Sequence, residues 1–296
     1  MKRFLSLILS LTTLFIVVLS VYSCGSKIDN ETKERYLNSI FEIDTGLSTL
    51  DGHNHVDLIQ TTETFVDADV PQTIKLIINE TEETFVYEKT IRHIINDSIS
   101  HRYYKADDPD KEIAIDANGT VKSIFYKYIT LEIDSNASAE ELQPLVEREL
   151  NKWVDVSSYD SVDITPFETS LGFGRYEYCY YKYVDGYILD FAKITIHDDG
   201  SISNLNIRNF PKSDVELNID KKLESKLLDL KLEYIFDTDT SRYKSYHQYS
   251  TPQIVTYNHE LYIQYFVAAD YLDESGNKLS SWALQIIIPL ELLSKT

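Results

Sequence analysis

Ile113-Ala114-Ile115-Asp116-Ala117-Asn118-Gly119-Thr120-Val121-Lys122-Ser123-Ile124 decides how this chain is read, because the stretch returns almost step for step further on. The second copy is Ile194-Thr195-Ile196-His197-Asp198-Asp199-Gly200-Ser201-Ile202-Ser203-Asn204-Leu205. Each copy is an alternating apolar strand, a polar turn with Asn-Gly or Asp-Gly, and a second strand. Glycine supplies the positive φ that such turns require, so the pair predicts two β-hairpins 81 residues apart. A weaker third copy, Leu272 to Leu279, turns at Gly276.

Working outward, helices are expected ahead of the second and third hairpins. Ser138 and Glu141 form a capping box, and Leu142, Leu145, Val146, Leu150 and Trp153 line one helical face; Pro144 is expected to kink this helix or move its start later. Asp220 caps the other helix, with a stripe of Ile219, Leu223, Leu227, Leu230 and Tyr234. Strands follow the first helix at Tyr176–Val184, Tyr187–Ile196 and Ser201–Arg208. Others follow the second helix at Gln253–Tyr257, Leu261–Tyr271 and Ser280–Pro289. Before the first hairpin, Thr73–Ile78, Thr84–Ile95 and Ser98–Lys105 read as strands, Asp107 to Asp110 as a turn, and Tyr36 to Phe41 as a short helix.

The expected fold class is therefore α+β, with repeated helix plus antiparallel meander units behind a strand-rich N-terminal part. The divisions are a signal segment 1–23, a tether 24–35, the strand-rich region 36–130, a first unit 131–212 and a second unit 213–296. A helix followed by hairpins, the last with an Asp/Asn-Gly turn, resembles the PepSY-type repeat of exported bacterial proteins. The resemblance covers Ser138 to Arg208 and Asp220 to Pro289, with a partial unit from Thr73 to Tyr126. It implies a small module of envelope proteins and of propeptides that inhibit metallopeptidases. It carries over no functional residue.

The N-terminus supplies an address. Lys2 and Arg3 precede an uncharged, mostly apolar run from Phe4 to Tyr22, and Ser23 places a small residue before Cys24. That order is a secretory signal ending at a processing site. The run is long enough to span a bilayer, so an uncleaved anchor of the same topology is the competing reading. Val21, Ser23 and Cys24 resemble the bacterial lipobox, which implies a diacylglyceryl group on the Cys24 thiol and cleavage that leaves Cys24 as the mature N-terminus. Two or more acyl chains such as palmitate anchor stably, each buried methylene adding about 0.8 kcal/mol. The expected location is the extracytoplasmic face of a cell membrane, held by that lipid anchor.

Composition narrows the partners. The formal charge is −20, with 28 basic and 48 acidic residues spread along the chain. Nucleic acid and anionic lipid headgroups are thus poor partners, and cationic peptides, polycations or metal ions better ones; with the export signal, an envelope protein or cell-wall ligand is the expected partner. With Cys24 assigned to lipidation, Cys179 stands alone and no intramolecular disulfide forms; stability must come from the core.

Candidate chemistry is sparse. His53 and His55, flanked by Asp51 and Asp57, offer imidazoles and carboxylates, but no second His or Cys pair with zinc-site spacing accompanies them. Calcium fails by ligand position: counting back from Gly119, Gly200 and Gly276, an EF-hand's first ligand falls on Ala114, Thr195 and Tyr271. Tyr176, Tyr178 and Tyr180 share one strand face, which reads as packing ahead of ligand stacking. Cys179 lacks a neighbour that would activate its thiol. No nucleophile elbow, zincin helix or phosphate loop occurs. The expectation is a non-catalytic binding module with no cofactor and no metal, the alternative being a wall-active hydrolase without a short signature.

Overall fold

The three hairpin turns close in the same way. In a computed structural model of the chain, the N–H groups of Gly119, Gly200 and Gly276 donate at 3.0 Å to the carbonyls of Asp116, His197 and Asp273. Those three residues donate in return to Thr120, Ser201 and Asn277 at 2.8–2.9 Å. The glycines have φ of 81°, 79° and 83°, the left-handed conformation the turn demands. Asp116 Oδ1 also accepts from the Asn118 and Thr120 backbone at 2.9 Å, and Asp273 Oδ1 does the same for Ser275 and Asn277 at 2.8 Å.

The structure describes residues 33–34, 36–37, 41–43, 58–59, 62–78, 80–96, 98–166, 175–210, 215–235, 243–273 and 275–293. The strands are β1 (Phe41–Ile43), β2 (Leu58–Ile59), β3 (Thr62–Phe65), β4 (Thr73–Ile78), β5 (Thr81–His93), β6 (Ser98–Lys105), β7 (Asp108–Asp116) and β8 (Val121–Thr130). Helix α1 (Ala139–Leu150) leads to β9 (Ser161–Pro166), β10 (Tyr176–Val184), β11 (Tyr187–Ile196) and β12 (Ser201–Arg208). Helix α2 (Lys221–Ile235) leads to β13 (Tyr243–Tyr257), β14 (Glu260–Leu272) and β15 (Lys278–Pro289), followed by a short helix at Leu290–Leu293. All of the strands belong to the compact unit Ile40–Thr296.

This overturns the expected fold class. The chain does not build repeated helix plus meander units behind a strand-rich part; among the described residues it is strand-dominated, and fifteen strands join in one mixed sheet. Strand β12 of the expected first unit pairs with β8 of the N-terminal part, and β15 of the expected second unit takes β1 on its far side. The physical reason is that a three-stranded meander leaves two open edges of unpaired N–H and C=O groups, and here those edges find one another. Two pairings are parallel, β1 with β2 and β11 with β13, which no run of hairpins would produce.

Individual elements keep their places while their partners change. Ser138 Oγ accepts from the Glu141 N–H and Glu141 Oε2 from the Ser138 N–H at 2.7 Å, so the capping box forms; α1 starts at Ala139 with Pro144 inside it, not later. Asp220 Oδ1 accepts from Leu223 N at 3.2 Å and caps α2. The buried side of α2 is Glu224, Leu227, Lys231, Leu232 and Ile235, whereas Tyr234 of the expected stripe is 42% exposed. Tyr36 and Leu37 are helical, but Phe41 begins β1. The turn expected over Asp107–Asp110 lies one step earlier, since Asp108 already opens β7.

One row of residues crosses six strands and forms the centre of the core. Tyr103 pairs with Ile113, Ile113 with Ile124, Ile124 with Leu205, Leu205 with Ile194 and Ile194 with Tyr178. All six are 2% exposed or less. Leu142, Val146 and Leu150 of α1 belong to the same buried cluster, so α1 covers this face. Because side chains alternate, the neighbouring row must point to the opposite face.

Candidate functional site: a groove on the face opposite helix α1

That neighbouring row is Arg102, Ala114, Ser123, Asn206 and Lys193, each directly opposite the next across β6, β7, β8, β12 and β11. Its middle members are small. Where the core row fills space with isoleucine and leucine, Ala114 and Ser123 leave the floor low, and the larger side chains stand as walls. A cavity of about 700 Å³ results, within the range of small-molecule sites. Phe191, Asn206, Arg208 and Phe210 line it from β11, β12 and the residues after β12, and His93, Asn96, Ser98 and Ile99 from β5, β6 and the turn between them.

A fork in the sheet closes the groove. Strand β12 occupies the edge of β11 from Phe191 to Ile196, and β13 takes over at Ile188 opposite Gln253. The two prongs meet again at the β5–β6 turn, where Asn96 N–H donates to Thr256 O at 2.7 Å. Ile95 packs there with Val255, Tyr262 and Ile287. Five strands separate β5 from β13 in the sheet order, so this contact requires the sheet to curl.

Arg208, the last residue of β12, sits at the fork. Nη2 donates to the carbonyls of Leu189 at 2.8 Å and Ile254 at 3.1 Å, and Nη1 to Gln253 Oε1. It therefore joins both prongs. From Gln253 the hydrogen bonds continue to Gln264 and then from Gln264 Nε2 to Gln285 Oε1 at 2.6 Å, a chain of amides across β13, β14 and β15. Among the described residues no carboxylate lies within ion-pair distance of Arg208. Burial lowers its pKa to about 10, against the opposing charge of Asp190.

The other cations of the groove are balanced. Arg102 Nη1 meets Glu112 Oε1 at 2.8 Å and the guanidinium lies 5.7 Å from the Phe125 ring; Lys122 meets Asp116 at 3.3 Å. Burial, and then the charge of Arg102, lower the pKa of His93, whose Nε2 lies 3.0 Å from Ser100 Oγ. The groove thus sets Arg102, Lys122 and Arg208 against Glu112, Asp116 and the more distant Asp190, inside a chain of net charge −20.

Of the residues singled out by sequence, Cys24, His53 and His55 lie outside the described residues. Cys179 is half-buried with Sγ 3.6 Å from Glu177 Oε1, and burial pushes its thiol up to about 11, the condition of an unreactive cysteine. Tyr178 and Tyr180 pack under α1, the former donating to Ala139 O at 2.8 Å. The aspartates of the hairpin turns are used by backbone N–H groups, and among the described residues no three His, Cys, Asp or Glu side chains gather as a metal site. A serine, a histidine and an aspartate do meet at Ser281, His247 and Asp270. There Ser281 Oγ donates straight to Asp270, and His247 Nδ1 stands 3.6 Å from its other oxygen. With the carboxylate in the middle, the histidine has no serine proton to take, so this is not a nucleophilic triad. Among the described residues Asp116 is the one carboxylate lining the groove, and Lys122 holds it.

No family model, no curated protein and no solved structure matches the chain.

Sequence reasoning passed over the groove although its signal was present. The alternation in Asn204-Leu205-Asn206-Ile207-Arg208 marks a polar face, which reads as solvent-facing until the curl of the sheet encloses it.

Proposed function

We propose that this chain is an extracytoplasmic binding module, anchored to the membrane through lipidated Cys24, which holds a ligand of the cell envelope in the groove without transforming it. The observation that carries the reading is the groove itself: about 700 Å³ floored by small residues and walled by arginine, asparagine and phenylalanine. A few placed polar groups among apolar walls are what orient a bound ligand. The anchor rests on the order of charged, apolar and small residues before Cys24. Among the described residues no helix is long and apolar enough to cross a membrane.

One experiment tests both halves. Wild type, Cys24→Ala and Asn206→Trp are produced in a bacterial host, fractionated, and incubated with isolated wall and membrane material. Cys24→Ala is expected to leave the membrane fraction or remain uncut, while still binding. Asn206→Trp, which fills the groove from a half-buried position, is expected to stay anchored, keep its circular dichroism spectrum and lose at least tenfold in binding. Correctly processed, membrane-bound Cys24→Ala protein refutes the anchor. Undiminished binding by Asn206→Trp refutes the groove.

A further inference from the structure

We infer that the groove is built for an acidic saccharide, one carboxylate per site, an inference that rests on the groove being the binding site. Charge comes first. Glu112 answers Arg102 and Asp116 answers Lys122, but the partners of Arg208 are backbone carbonyls and an amide, which take its hydrogens and leave its charge. Among the described residues no carboxylate stands within ion-pair distance of Arg208, and Asp190 opposes its charge only from farther off, so a ligand carboxylate arriving beside this largely desolvated cation is favoured.

The walls then select the body that carries the carboxylate. Phe191 and Phe210 present apolar surface next to Arg208, suited to the C–H face of a sugar ring, while Asn96, Asn206 and Asn209 bring amides that both donate to and accept from hydroxyls. A peptide with a free carboxylate is disfavoured by topology. Extended peptides gain affinity by adding to an open strand edge, and the floor strands β6, β7, β8 and β12 are each paired on both sides. A ligand here must be recognised by side chains. That suits a compact polyhydroxylated molecule better than a peptide backbone.

The test is calorimetry on the full chain in mild detergent, with three probes: a uronic acid trisaccharide, its neutral methyl ester, and a tripeptide with a free C-terminal carboxylate. The acid is expected to bind with one-to-one stoichiometry and at least tenfold more tightly than the ester or the peptide, since a charge-assisted hydrogen bond is worth about that factor or more. Arg208→Gln is expected to erase the difference between acid and ester. Because Arg208 also joins the two prongs, its loss risks the fold, so Arg208→Lys, checked by circular dichroism, serves as the second variant: it keeps the positive charge and should keep the acid ahead of the ester. Failure of the acid to bind, equal binding of acid and ester, a peptide that binds best, or a folded Arg208→Lys protein that no longer prefers the acid would each overturn the inference. If acid and ester bind equally and Asn206→Trp blocks both, the groove remains the binding site and only the charge assignment falls. If Asn206→Trp blocks neither, the groove reading itself falls.

Discussion

Glu224 shows how far a single residue departs from its type. It is 9% exposed on α2, and Tyr187 Oη and Tyr265 Oη both donate to its Oε1 at 2.6 Å while Lys221 stands 3.2 Å from Oε2. Two phenols from β11 and β14 thus pin one carboxylate, and the helix rolls so that Glu224 and Lys231 turn inward where an apolar stripe would have placed Leu223 and Leu230. Burial, and then the hydrogen bond to Glu224, push the pKa of both tyrosines up. Tyr265→Phe keeps the ring and removes one donor to a charged acceptor, so it should cost about 1.5–3 kcal/mol, measured by urea denaturation. A cost near zero would mean the carboxylate is satisfied without it. The capping residues Ser138 and Asp220 were legible in the sequence because their roles are local. Glu224 and Arg208 were not, because their partners come from strands 19 to 46 residues away.

At the scale of elements, the repeated hairpin is what the sequence displays best, since a type of turn is fixed by a handful of adjacent residues. Yet the three copies are not equivalent in their surroundings. A Cβ on Gly119 or Gly276 would meet nothing within 4 Å, whereas on Gly200 it would lie 2.1 Å from Leu131 O. The crowding has a purpose, for Leu131 N–H donates to Gly200 O at 2.8 Å and ties the segment leading to α1 onto the β11–β12 turn. Gly276→Ala should therefore cost only the left-handed backbone penalty of about 1–2 kcal/mol. Gly200→Ala adds a collision with backbone, and its loss in thermal or urea stability should clearly exceed that of Gly276→Ala. Equal losses would show that the Leu131 segment moves aside freely. Nothing in the two matching sequences distinguishes these glycines; the difference is made by a residue 69 positions away.

For the whole molecule, strand positions could be read and strand partners could not. Bounds such as Thr73–Ile78, Ser98–Lys105 and Ser201–Arg208 follow from β-branched and aromatic runs, but the parallel pairing of β11 with β13 and the closure at Asn96 depend on groups far apart in the chain. Tyrosine makes up 22 of the 296 residues and supplies much of what the long sheet packs with, which gives the assembled fold a characteristic weakness. Burial, helped by the nearby acids Asp190 and Glu260, pushes Tyr159 and Tyr262 up to about 12. Burial does the same to Tyr178, with Tyr176 adding to it, and raises Cys179 to about 11. Phenols in the unfolded chain ionise near pH 10. Each raised phenol pKa therefore contributes stability that is fully present below about pH 10 and declines as pH rises toward 12, because the unfolded chain releases these protons before the folded one does, while the Cys179 contribution starts to decline near pH 9. The urea midpoint should accordingly hold steady up to about pH 8.5, decline gently toward 10 and fall steeply above it, with phenolate absorbance appearing in step with unfolding. Phenolate absorbance that rises fully while the protein stays folded would show that the tyrosines of this sheet are open to solvent, and the burial that sets their pKa would have to be abandoned.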